Sequence, residues 1–417
     1  MTHPGPLRSG PEAAPPTVAP GRTLGVVGGG QLARMFAQAA QRMGYSVAVL
    51  DPDPTSPAGA IAHHSVVADY ADARGLGQLA ALCAAVTTEF ENVPAASLDR
   101  LAHTTPVAPG AAAVAVCQDR AAEKAHFRRS GIACAPNVVV DSEPSMAAVP
   151  DDLFPGVLKT ARLGYDGKGQ VRVGHRSELP AAWGALGNVV CILEKMLPLA
   201  HEISVVVARG ASGDIVTLPV QQNLHRGGIL AVTQVPCPAV SAELQQRAVS
   251  SAATLAQDLG YVGVLCVEFF CLIDGSLVVN EMAPRPHNSG HYSIDGCDVS
   301  QFELQVRTLA GLPLAPPRLH SSCVMLNLMG DLWFGPSPRS AAEPATQDAP
   351  SASEPATQDA PSWAEVLALP GVHLHLYGKA EARPGRKMGH LTITAATPEK
   401  AQEIAREAAV RLGIELW

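Results

Sequence analysis

The chain has 417 residues, of which 47% are hydrophobic and 16% charged, and its net charge at pH 7 is −8. This composition predicts a globular protein of two or three domains and argues against generic binding to nucleic acid or to a membrane. Nine scattered cysteines without a Cys-x-x-Cys pair indicate neither a zinc site nor a disulfide framework. Residues 1–22 are rich in proline and glycine and lack the apolar core of a signal peptide. We therefore expect a cytoplasmic protein with a disordered N-terminal extension.

A βαβ pattern opens the globular part of the chain, with a strand, a glycine-rich turn, a helix and a second strand between residues 24 and 50. The turn, GVVGGGQLARM, fits the Gly28-x-Gly30-x-x-Ala33 dinucleotide fingerprint, and Asp51 stands where a ribose-binding carboxylate would lie. Glycines at the N-terminus of a helix allow backbone N–H groups to approach an anion of any kind. The motif leaves two alternatives open, a nicotinamide or flavin site and a tight turn without a ligand.

A second glycine-rich segment, KTARLGYDGKGQ, predicts a strand that ends at Lys159 and a loop over residues 164–169 before the next strand. Three glycines and a lysine at a hairpin tip form a loop whose N–H groups and ammonium can close over a polyphosphate. An ordinary exposed hairpin is the alternative. Support for a nucleotide comes from EKMLPLAHE at 194–202, which is typical of a hinge whose backbone meets an adenine edge and whose last glutamate, Glu202, binds ribose hydroxyls.

A pair of carboxylates is the most informative feature of the sequence EFFCLIDGSLVVNE. An Asp-Gly pair between two apolar runs predicts a hairpin with a two-residue turn. Counting outward from that turn, Glu268 falls opposite Glu281, and Phe270 and Val279 are predicted on the same face. Carboxylates in such positions repel unless a cation lies between them, and Mg²⁺ commonly takes one or two carboxylates from a protein. The alternative, an exposed pair at a sheet surface, is weakened by the apolar neighbours.

A tandem copy of EPATQDAPS lies within residues 335–362, which are rich in proline, alanine and acidic residues. This composition predicts a solvated, disordered insert without a catalytic role.

These segments together resemble the ATP-grasp superfamily, and longer words are similar to those of the 5-(carboxyamino)imidazole ribonucleotide synthase family. The words are GGGQLARM, TTEFENVP, QDRAAEKAHF, GYDGKGQ, NEMAPRPHNSGHYSIDG, SQFE and YGKAEARPGRKMGH. The resemblance implies an α/β and α+β chain with an ATP-grasp fold. It divides the chain into a Rossmann-like pre-ATP-grasp domain at 23–117, an ATP-grasp domain at 118–315 with a flap subdomain at about 135–195, and a small β-rich C-terminal domain at 316–417.

The activity implied by the resemblance is that of an ATP-dependent C–N ligase of purine synthesis. Members phosphorylate bicarbonate to carboxyphosphate and transfer its carboxyl group to the exocyclic amine of 5-aminoimidazole ribonucleotide, giving N5-carboxyaminoimidazole ribonucleotide. The implied cofactors are ATP and Mg²⁺, and the implied assembly is a homodimer without nucleic acid or membrane. A formate-dependent glycinamide ribonucleotide formyltransferase of the same fold stays open, because both reactions run through an acyl phosphate. A nicotinamide oxidoreductase is a third alternative, which leaves the second half of the chain unexplained.

Site residues also follow from the resemblance, with Mg²⁺ held by Glu268 and Glu281. The implied catalytic residues are Arg285, at the bicarbonate-binding position of biotin carboxylase, with Lys159 and Tyr165. The implied nucleotide-binding residues are Arg120, Lys159, Gly164, Tyr165, Asp166, Gly167, Lys168, Gly169, Gln170, Glu194, Lys195, Met196, Leu197, Glu202, His225, Asn280 and Glu281. The implied ribonucleotide-binding residues are Gln31, Leu32, Glu91, Asn288, Lys379, Arg386 and Lys387. One departure is Leu163, which stands where the family usually has a glycine.

Overall fold

The computed structural model describes residues 17–164, 167–334 and 361–415. Parts of three predicted features lie outside this part of the chain. They are residues 335–360 of the insert predicted at 335–362, residues 1–16 of the predicted extension, and Tyr165 and Asp166 of the flap, which is the loop predicted at 164–169.

The N-terminal domain is built on a four-stranded parallel sheet in the order β3-β2-β1-β4. Its first strand, helix and second strand confirm the predicted βαβ opening. The strands are β1 (Thr23–Val27), β2 (Ser46–Asp51), β3 (His64–Val67) and β4 (Ala85–Thr88). The helices are α1 (Gln31–Arg42), α2 (Ala73–Leu82), α3 (Ala95–Ala102) and α4 (Ala111–Cys117).

Residues 17–22 differ from the prediction of disorder over the whole N-terminal extension. The backbone N–H of Val18 donates to the Ala310 carbonyl at 2.9 Å, and the Tyr45 hydroxyl donates to the Val18 carbonyl at 2.7 Å. The predicted boundary was therefore too late, because a short Pro/Gly-rich segment can dock through its backbone even where its composition offers little to a core.

A small antiparallel sheet follows, in the order β5-β8-β6-β7, and it carries the predicted flap between β6 and β7. Helix α5 (Arg120–Arg129) leads into it, and Asp119 caps that helix by accepting from the N–H of Ala121 at 3.0 Å. The strands are β5 (Asn137–Val140), β6 (Gly156–Thr160), β7 (Gln170–Val173) and β8 (Cys191–Lys195), and the helices are α6 (Glu143–Ala147) and α7 (Leu179–Ala185).

The largest sheet has nine strands in the order β14-β13-β9-β11-β12-β15-β17-β16, with β10 beside β9. It crosses the domain boundary predicted at 315, because β12 pairs directly with β15. Its strands are β9 (Leu199–Arg209), β10 (Ile215–Thr217), β11 (Gln221–Arg226), β12 (Ile229–Val235), β13 (Gly263–Leu272), β14 (Leu277–Ala283), β15 (Ser322–Met329), β16 (Val372–Leu376) and β17 (Lys387–Ala395). Its helices are α8 (Ala242–Asp258), α9 (Ser293–Gly296), α10 (Gln301–Ala310), α11 (Trp363–Leu367) and α12 (Pro398–Leu412).

Helix α10 joins the N-terminal domain to the large sheet. Phe302 and Val306 of α10 share one buried core with Phe36 of α1. None of the helices in the described ranges is long and apolar enough to cross a membrane.

The hairpin of β13 and β14 confirms that Glu268 lies opposite Glu281, although the residue pairs between the turn and the glutamates differ from the prediction. The turn is one residue longer than predicted, since Cys271 pairs with Leu277. A bulge at Asn280 then restores the register, because Phe269 pairs with Val279 and the next pair is Glu268 with Glu281. The bulge also places Val279 in the core with Phe269, so the prediction that Val279 shares a face with Glu281 was wrong.

Candidate active site

A cavity of about 680 Å³ lies where the N-terminal domain, the flap and the β14 edge of the large sheet meet. Most of the residues predicted to bind phosphate, metal and ribonucleotide line this one cavity, although they are spread over more than 350 positions of the sequence. The predicted residues in its wall are Gln31, Leu32, Glu91, Arg120, Gly164, Lys168, Glu268, Glu281, Arg285, Asn288, Lys379, Arg386 and Lys387.

The two facing glutamates have different partners and different acidities. An Arg120 Nη1 lies 2.8 Å from an Oε2 of Glu281, and His287 Nε2 lies 3.2 Å from Glu268 Oε1. Burial and the charge of Glu281 raise the pKa of Glu268. Burial also favours the neutral form of Glu281, but the Arg120 guanidinium outweighs it and lowers the pKa of Glu281. Glu281 is therefore kept in its charged form, whereas Glu268 lacks enough nearby positive charge to favour ionisation.

This pair fits a divalent cation. The Asn280 side-chain oxygen is buried beside Glu281 without a hydrogen-bond partner among the described residues. Those residues contain no group of three or more His, Cys, Asp or Glu side chains that could hold a metal ion. A cation bound by two carboxylates would therefore complete its shell with water and phosphate oxygens, as Mg²⁺ does at nucleotide sites.

Lys159 lies at the end of β6 and is held by a buried carboxylate. Its Nζ is 3.0 Å from Glu194 Oε2, and the Nζ of Lys124, on α5, is 3.3 Å from Glu194 Oε1. Although burial opposes it, the two lysines lower the pKa of Glu194. The side chain of Glu194 thus fixes Lys159, which is predicted to bind phosphate, and this contact goes beyond the hinge position predicted for Glu194.

The flap approaches the turn between β11 and β12. A Cβ on Gly167 would lie 2.8 Å from the Gly227 carbonyl, and Gly167 has a φ of +76°. Only glycine fits such a close approach and such a backbone angle. Leu163, at the other end of the loop, has a φ of +62° and is 72% exposed. The sequence departure at Leu163 thus falls on a residue whose backbone favours glycine.

The predicted adenine hinge, which includes Lys195, Met196 and Leu197, connects β8 to β9. The N–H of Lys195 donates to the Pro136 carbonyl at 2.9 Å, so an adenine edge could use the backbone of Lys195 only through its carbonyl. Beyond the hinge, Glu202 and His225 form an ion pair in the wall of a second cavity of about 450 Å³. Burial opposes protonation of His225, but its contact with Glu202 raises the pKa of the imidazole.

The predicted bicarbonate and ribonucleotide residues line the same main cavity. Arg285 pairs with Glu91, and the Nζ of Lys379 donates to the Lys387 carbonyl at 2.6 Å. The second bond folds the basic segment 379–387 back on itself, and cations from both ends of the segment line the cavity.

Two carboxylates of the chain itself, Glu89 and Asp51, bind the backbone N–H groups of the glycine fingerprint at the start of α1. Glu89 accepts from the N–H of Gly30 at 2.9 Å, at the position where a pyrophosphate would bind. Asp51 accepts from the N–H of Gly29 at 2.6 Å and from the Tyr70 hydroxyl at 2.8 Å. The nicotinamide alternative is therefore wrong, because a dinucleotide would meet two carboxylates at the phosphate and ribose positions.

Several residues of the site were missed by the analysis of the sequence. Glu89 and Glu123 both line the main cavity and are nearly fully buried. Burial raises the pKa of Glu123 to about 8. The word QDRAAEKAHF contains Glu123 and Lys124 three and four residues after Arg120, and helical spacing alone predicts that all three lie near one end of α5.

A stack of buried histidines borders the cavity and predicts acid sensitivity. His291 and His390 are at most 1% exposed, their ring centres are 4.8 Å apart, and burial lowers the pKa of both well below the usual range. Each ring is neutral when folded and takes up a proton on unfolding below about pH 6.5, so stability is lost as the pH falls. At pH 5.5 we expect these two residues to lower the free energy of unfolding by roughly 3 kcal/mol relative to pH 8.

Urea unfolding of the wild type and of His390→Gln between pH 8 and pH 5.5 measures this effect. The variant should lose about half of the two-histidine contribution, while His175→Gln, at an exposed position, should keep the wild-type pH dependence. Identical pH profiles for His390→Gln and the wild type would show that His390 does not contribute to acid sensitivity.

Comparisons with known proteins agree with this architecture. Family models match a ribonucleotide synthetase preATP-grasp domain at residues 22–118, an ATP-grasp domain at 125–302 and a phosphoribosylaminoimidazole carboxylase C-terminal domain at 323–404. A relative from Brucella melitensis is 43% identical over 89% of this chain and 96% of its own length. One from Bacillus subtilis is 37% identical over 90% of this chain and 92% of its own length. Both are named N5-carboxyaminoimidazole ribonucleotide synthase.

Solved structures give the same result. An N5-carboxyaminoimidazole synthetase from Staphylococcus aureus complexed with ADP has a TM-score of 0.83 and 34% identity, over 94% of this chain and 98% of its own. The synthase from Aspergillus clavatus, in complex with ADP and 5-aminoimidazole ribonucleotide, has a TM-score of 0.81 and 30% identity, over 94% and 98% of the two chains.

The fold and the site define an ATP-grasp ligase with a preATP-grasp domain, which confirms the predicted fold class. Within that class, the chain belongs to the N5-carboxyaminoimidazole ribonucleotide synthase family. None of the relatives described above is a glycinamide ribonucleotide formyltransferase, so that alternative has no support from them.

Proposed function

We propose that this chain carboxylates the exocyclic amine of 5-aminoimidazole ribonucleotide, using ATP and bicarbonate, to form N5-carboxyaminoimidazole ribonucleotide. The observation that carries the proposal is the single cavity that joins Arg120 and the Glu268/Glu281 pair to Arg285 and the basic segment 379–387. Arg120 and the carboxylate pair suit a polyphosphate and its cation, and Arg285 and the basic segment suit two further anions. A ligase that phosphorylates bicarbonate and passes its carboxyl group to a ribonucleotide needs these three binding sites side by side.

In the first half-reaction, a bicarbonate oxygen attacks the γ-phosphorus of ATP and ADP leaves. Arg120 and Lys159 offset the negative charge of the transferred phosphoryl group, and this electrostatic contribution is usually the largest in phosphoryl transfer. Glu268 and Glu281 would hold Mg²⁺, which supplies further neutralisation of phosphate charge when bound. Arg285 holds the bicarbonate, and its own partner Glu91 fixes the direction of the guanidinium.

In the second half-reaction, the exocyclic nitrogen of the ribonucleotide bonds to the carboxyl carbon, phosphate leaves and the amine loses a proton. Lys379, Arg386 and Lys387 bind the single phosphate of the ribonucleotide through charge-assisted contacts. The flap, whose residues Gly164 and Lys168 line the cavity, excludes water that would hydrolyse carboxyphosphate.

A cytoplasmic location and a homodimeric assembly are part of the proposal. The location is supported by the composition of the chain. The assembly is supported by the family resemblance alone, and analytical ultracentrifugation of the full chain tests it.

Release of ADP in the presence of different substrates tests the proposed reaction. We expect ADP formation to require Mg²⁺ and to be strongly stimulated by 5-aminoimidazole ribonucleotide with bicarbonate. The product should carry isotope from labelled bicarbonate and none from labelled formate. Stimulation by glycinamide ribonucleotide with formate, and none by the imidazole, would move the assignment to the formyltransferase and keep the fold.

A further inference from the structure

Strand β14, which carries Glu281, is the edge strand of the large sheet and has β13 as its one ladder neighbour among the described strands. Its outward backbone groups therefore need partners from outside the sheet. The bulge at Asn280 interrupts the ladder directly before Glu281, and a bulge bends and twists the strand that contains it. The position of the Glu281 carboxylate thus depends on whatever holds the open edge.

Two neighbouring side chains of α5 hold that edge on either side of Glu281. The Nζ of Lys124 donates to the Asn280 carbonyl at 2.6 Å, and the N–H of Met282 donates to Glu123 Oε1 at 2.6 Å. Lys124 is completely buried and Glu123 is 2% exposed, so water does not compete for either contact. Arg120, one turn earlier on the same helix, contacts the Glu281 side chain itself.

We propose that Glu123 and Lys124 are positioning residues, which fix the backbone on both sides of Glu281 and so set the site that this carboxylate forms with Glu268 for a divalent cation. The inference rests on the proposed function for the presence of that cation. The contacts are made to backbone groups, so their effect on the metal passes through strand β14.

Lys124 also helps to position Lys159, the lysine proposed to bind phosphate. Its ammonium contacts Glu194 at 3.3 Å as well as the Asn280 carbonyl, and Glu194 contacts Lys159 at 3.0 Å. Lys124 therefore links β14, the edge strand that carries Glu281, to β8, the strand of the small sheet that precedes the hinge. Loss of Lys124 should disturb both the metal and the phosphate ends of the nucleotide site, whereas loss of Glu123 should disturb the metal end alone.

The test measures Mn²⁺ binding to the full-length protein with ADP present, by electron paramagnetic resonance, alongside steady-state kinetics. Glu123→Gln keeps an acceptor for the Met282 N–H and should bind Mn²⁺ within about twofold of the wild type. Glu123→Leu and Lys124→Met remove the contacts and should raise the Kd for Mn²⁺ by about tenfold or more, as losses of supporting groups around metal ligands do. In these two variants kcat should fall while KM for 5-aminoimidazole ribonucleotide changes by less than about threefold.

Two further variants keep the test decisive. Glu243→Leu, at an exposed position in the first turn of α8, is the matched control and should bind Mn²⁺ as the wild type does. If Glu123→Leu does not fold by circular dichroism, Glu123→Asp takes its place, because it withdraws the acceptor by one methylene and should still weaken Mn²⁺ binding by about threefold.

Wild-type Mn²⁺ affinity in folded Glu123→Leu, or in the aspartate variant that replaces it, would overturn the proposal. That result would leave the proposed function intact if the wild type still carboxylates 5-aminoimidazole ribonucleotide. Conversely, a wild type that binds Mn²⁺ with ADP but incorporates no bicarbonate would remove the proposed function, and the Glu123→Leu binding data would still decide the role of Glu123.

Discussion

Replacing Glu281 with glutamine is expected to lower kcat by about a hundred- to a thousandfold, in line with the loss of one preorganised electrostatic group at a phosphoryl-transfer site. The substitution removes a charged ligand from the pair that would hold Mg²⁺ and also removes the partner of Arg120. Because Gln occupies the same volume, the hairpin should keep its register. Steady-state ADP formation at saturating Mg²⁺ measures the effect, and near-normal turnover would refute the metal assignment.

In the absence of metal, glutamine substitutions of Glu281 and Glu268 should change the free energy of unfolding in opposite directions. Glu281 keeps its charge through Arg120, so Glu281→Gln should lose stability, by about 1 kcal/mol or less because its side chain is 39% exposed and the ion pair is screened. Glu268 has a raised pKa, which means that ionising it above its ordinary range near pH 4.5 costs folding free energy. Glu268→Gln should therefore gain about 1–3 kcal/mol at pH 8 in the presence of EDTA.

Thermal unfolding of both variants in EDTA, at pH 8 and at pH 5, checks these signs. The stabilisation by Glu268→Gln should shrink at pH 5, where the wild-type carboxyl is already largely protonated. A decrease in the melting temperature of Glu268→Gln at pH 8 would mean that His287 stabilises the charged form of Glu268 more than Glu281 destabilises it.

The hairpin shows what local sequence patterns can predict. The Asp-Gly signal correctly located the turn region, and counting outward from that turn correctly paired the two glutamates. The longer turn and the bulge at Asn280 shift the register in opposite directions, so their effects cancel. The predicted pairing of Glu268 with Glu281 was therefore correct, although the prediction included neither feature. A bulge depends on how the edge of β14 packs against α5, and spacing within the hairpin carries no information on that packing.

The glycine fingerprint shows the limit of a motif. Its glycines do form the expected strand, turn and helix, and the same residues in another protein would bind a dinucleotide. Here Glu89, the residue directly after β4, reaches the helix N-terminus at Gly30, 59 positions away, and fills the anion site. Contacts over such distances depend on tertiary structure, which explains why the sequence left the nicotinamide alternative open. The same reason hid Glu123, whose partner Met282 is 159 positions away.

The long words around residues 280–296 and 377–390 pointed to residues that spacing alone would not select, and the structure places them in the wall of the main cavity: Arg285, Asn288, Lys379, Arg386 and Lys387. The basic segment ARPGRK reads as an ordinary solvated loop by composition, and the structure places it in the cavity wall through β17 and the Lys379 contact to the Lys387 carbonyl. Residues on a surface loop and in a binding site can have the same composition, so only the fold or a family resemblance distinguishes the two.

Substitution of the basic segment should affect one substrate selectively. We expect Arg386→Ala and Lys387→Ala each to raise KM for 5-aminoimidazole ribonucleotide by roughly 10- to 100-fold, because each removes a charge-assisted contact of about 1.5–3 kcal/mol to a single phosphate. KM for ATP should change by less than about threefold, since the proposed function assigns the nucleotide phosphates to Arg120 and Lys159 and not to this segment.

Arg383→Ala is the matched control for that experiment. Arg383 lies in the same segment and the same cavity wall, but its guanidinium is 2.7 Å from Glu381, and its side chain is 68% exposed. Removing a cation that is already paired with a carboxylate and surrounded by solvent should raise KM for the ribonucleotide by less than about threefold. Initial rates with each substrate varied in turn give both constants. Equal increases in KM for ATP and for the ribonucleotide in Arg386→Ala would place this segment at the nucleotide, and an Arg383→Ala effect as large as that of Lys387→Ala would show that the whole segment acts through its net charge.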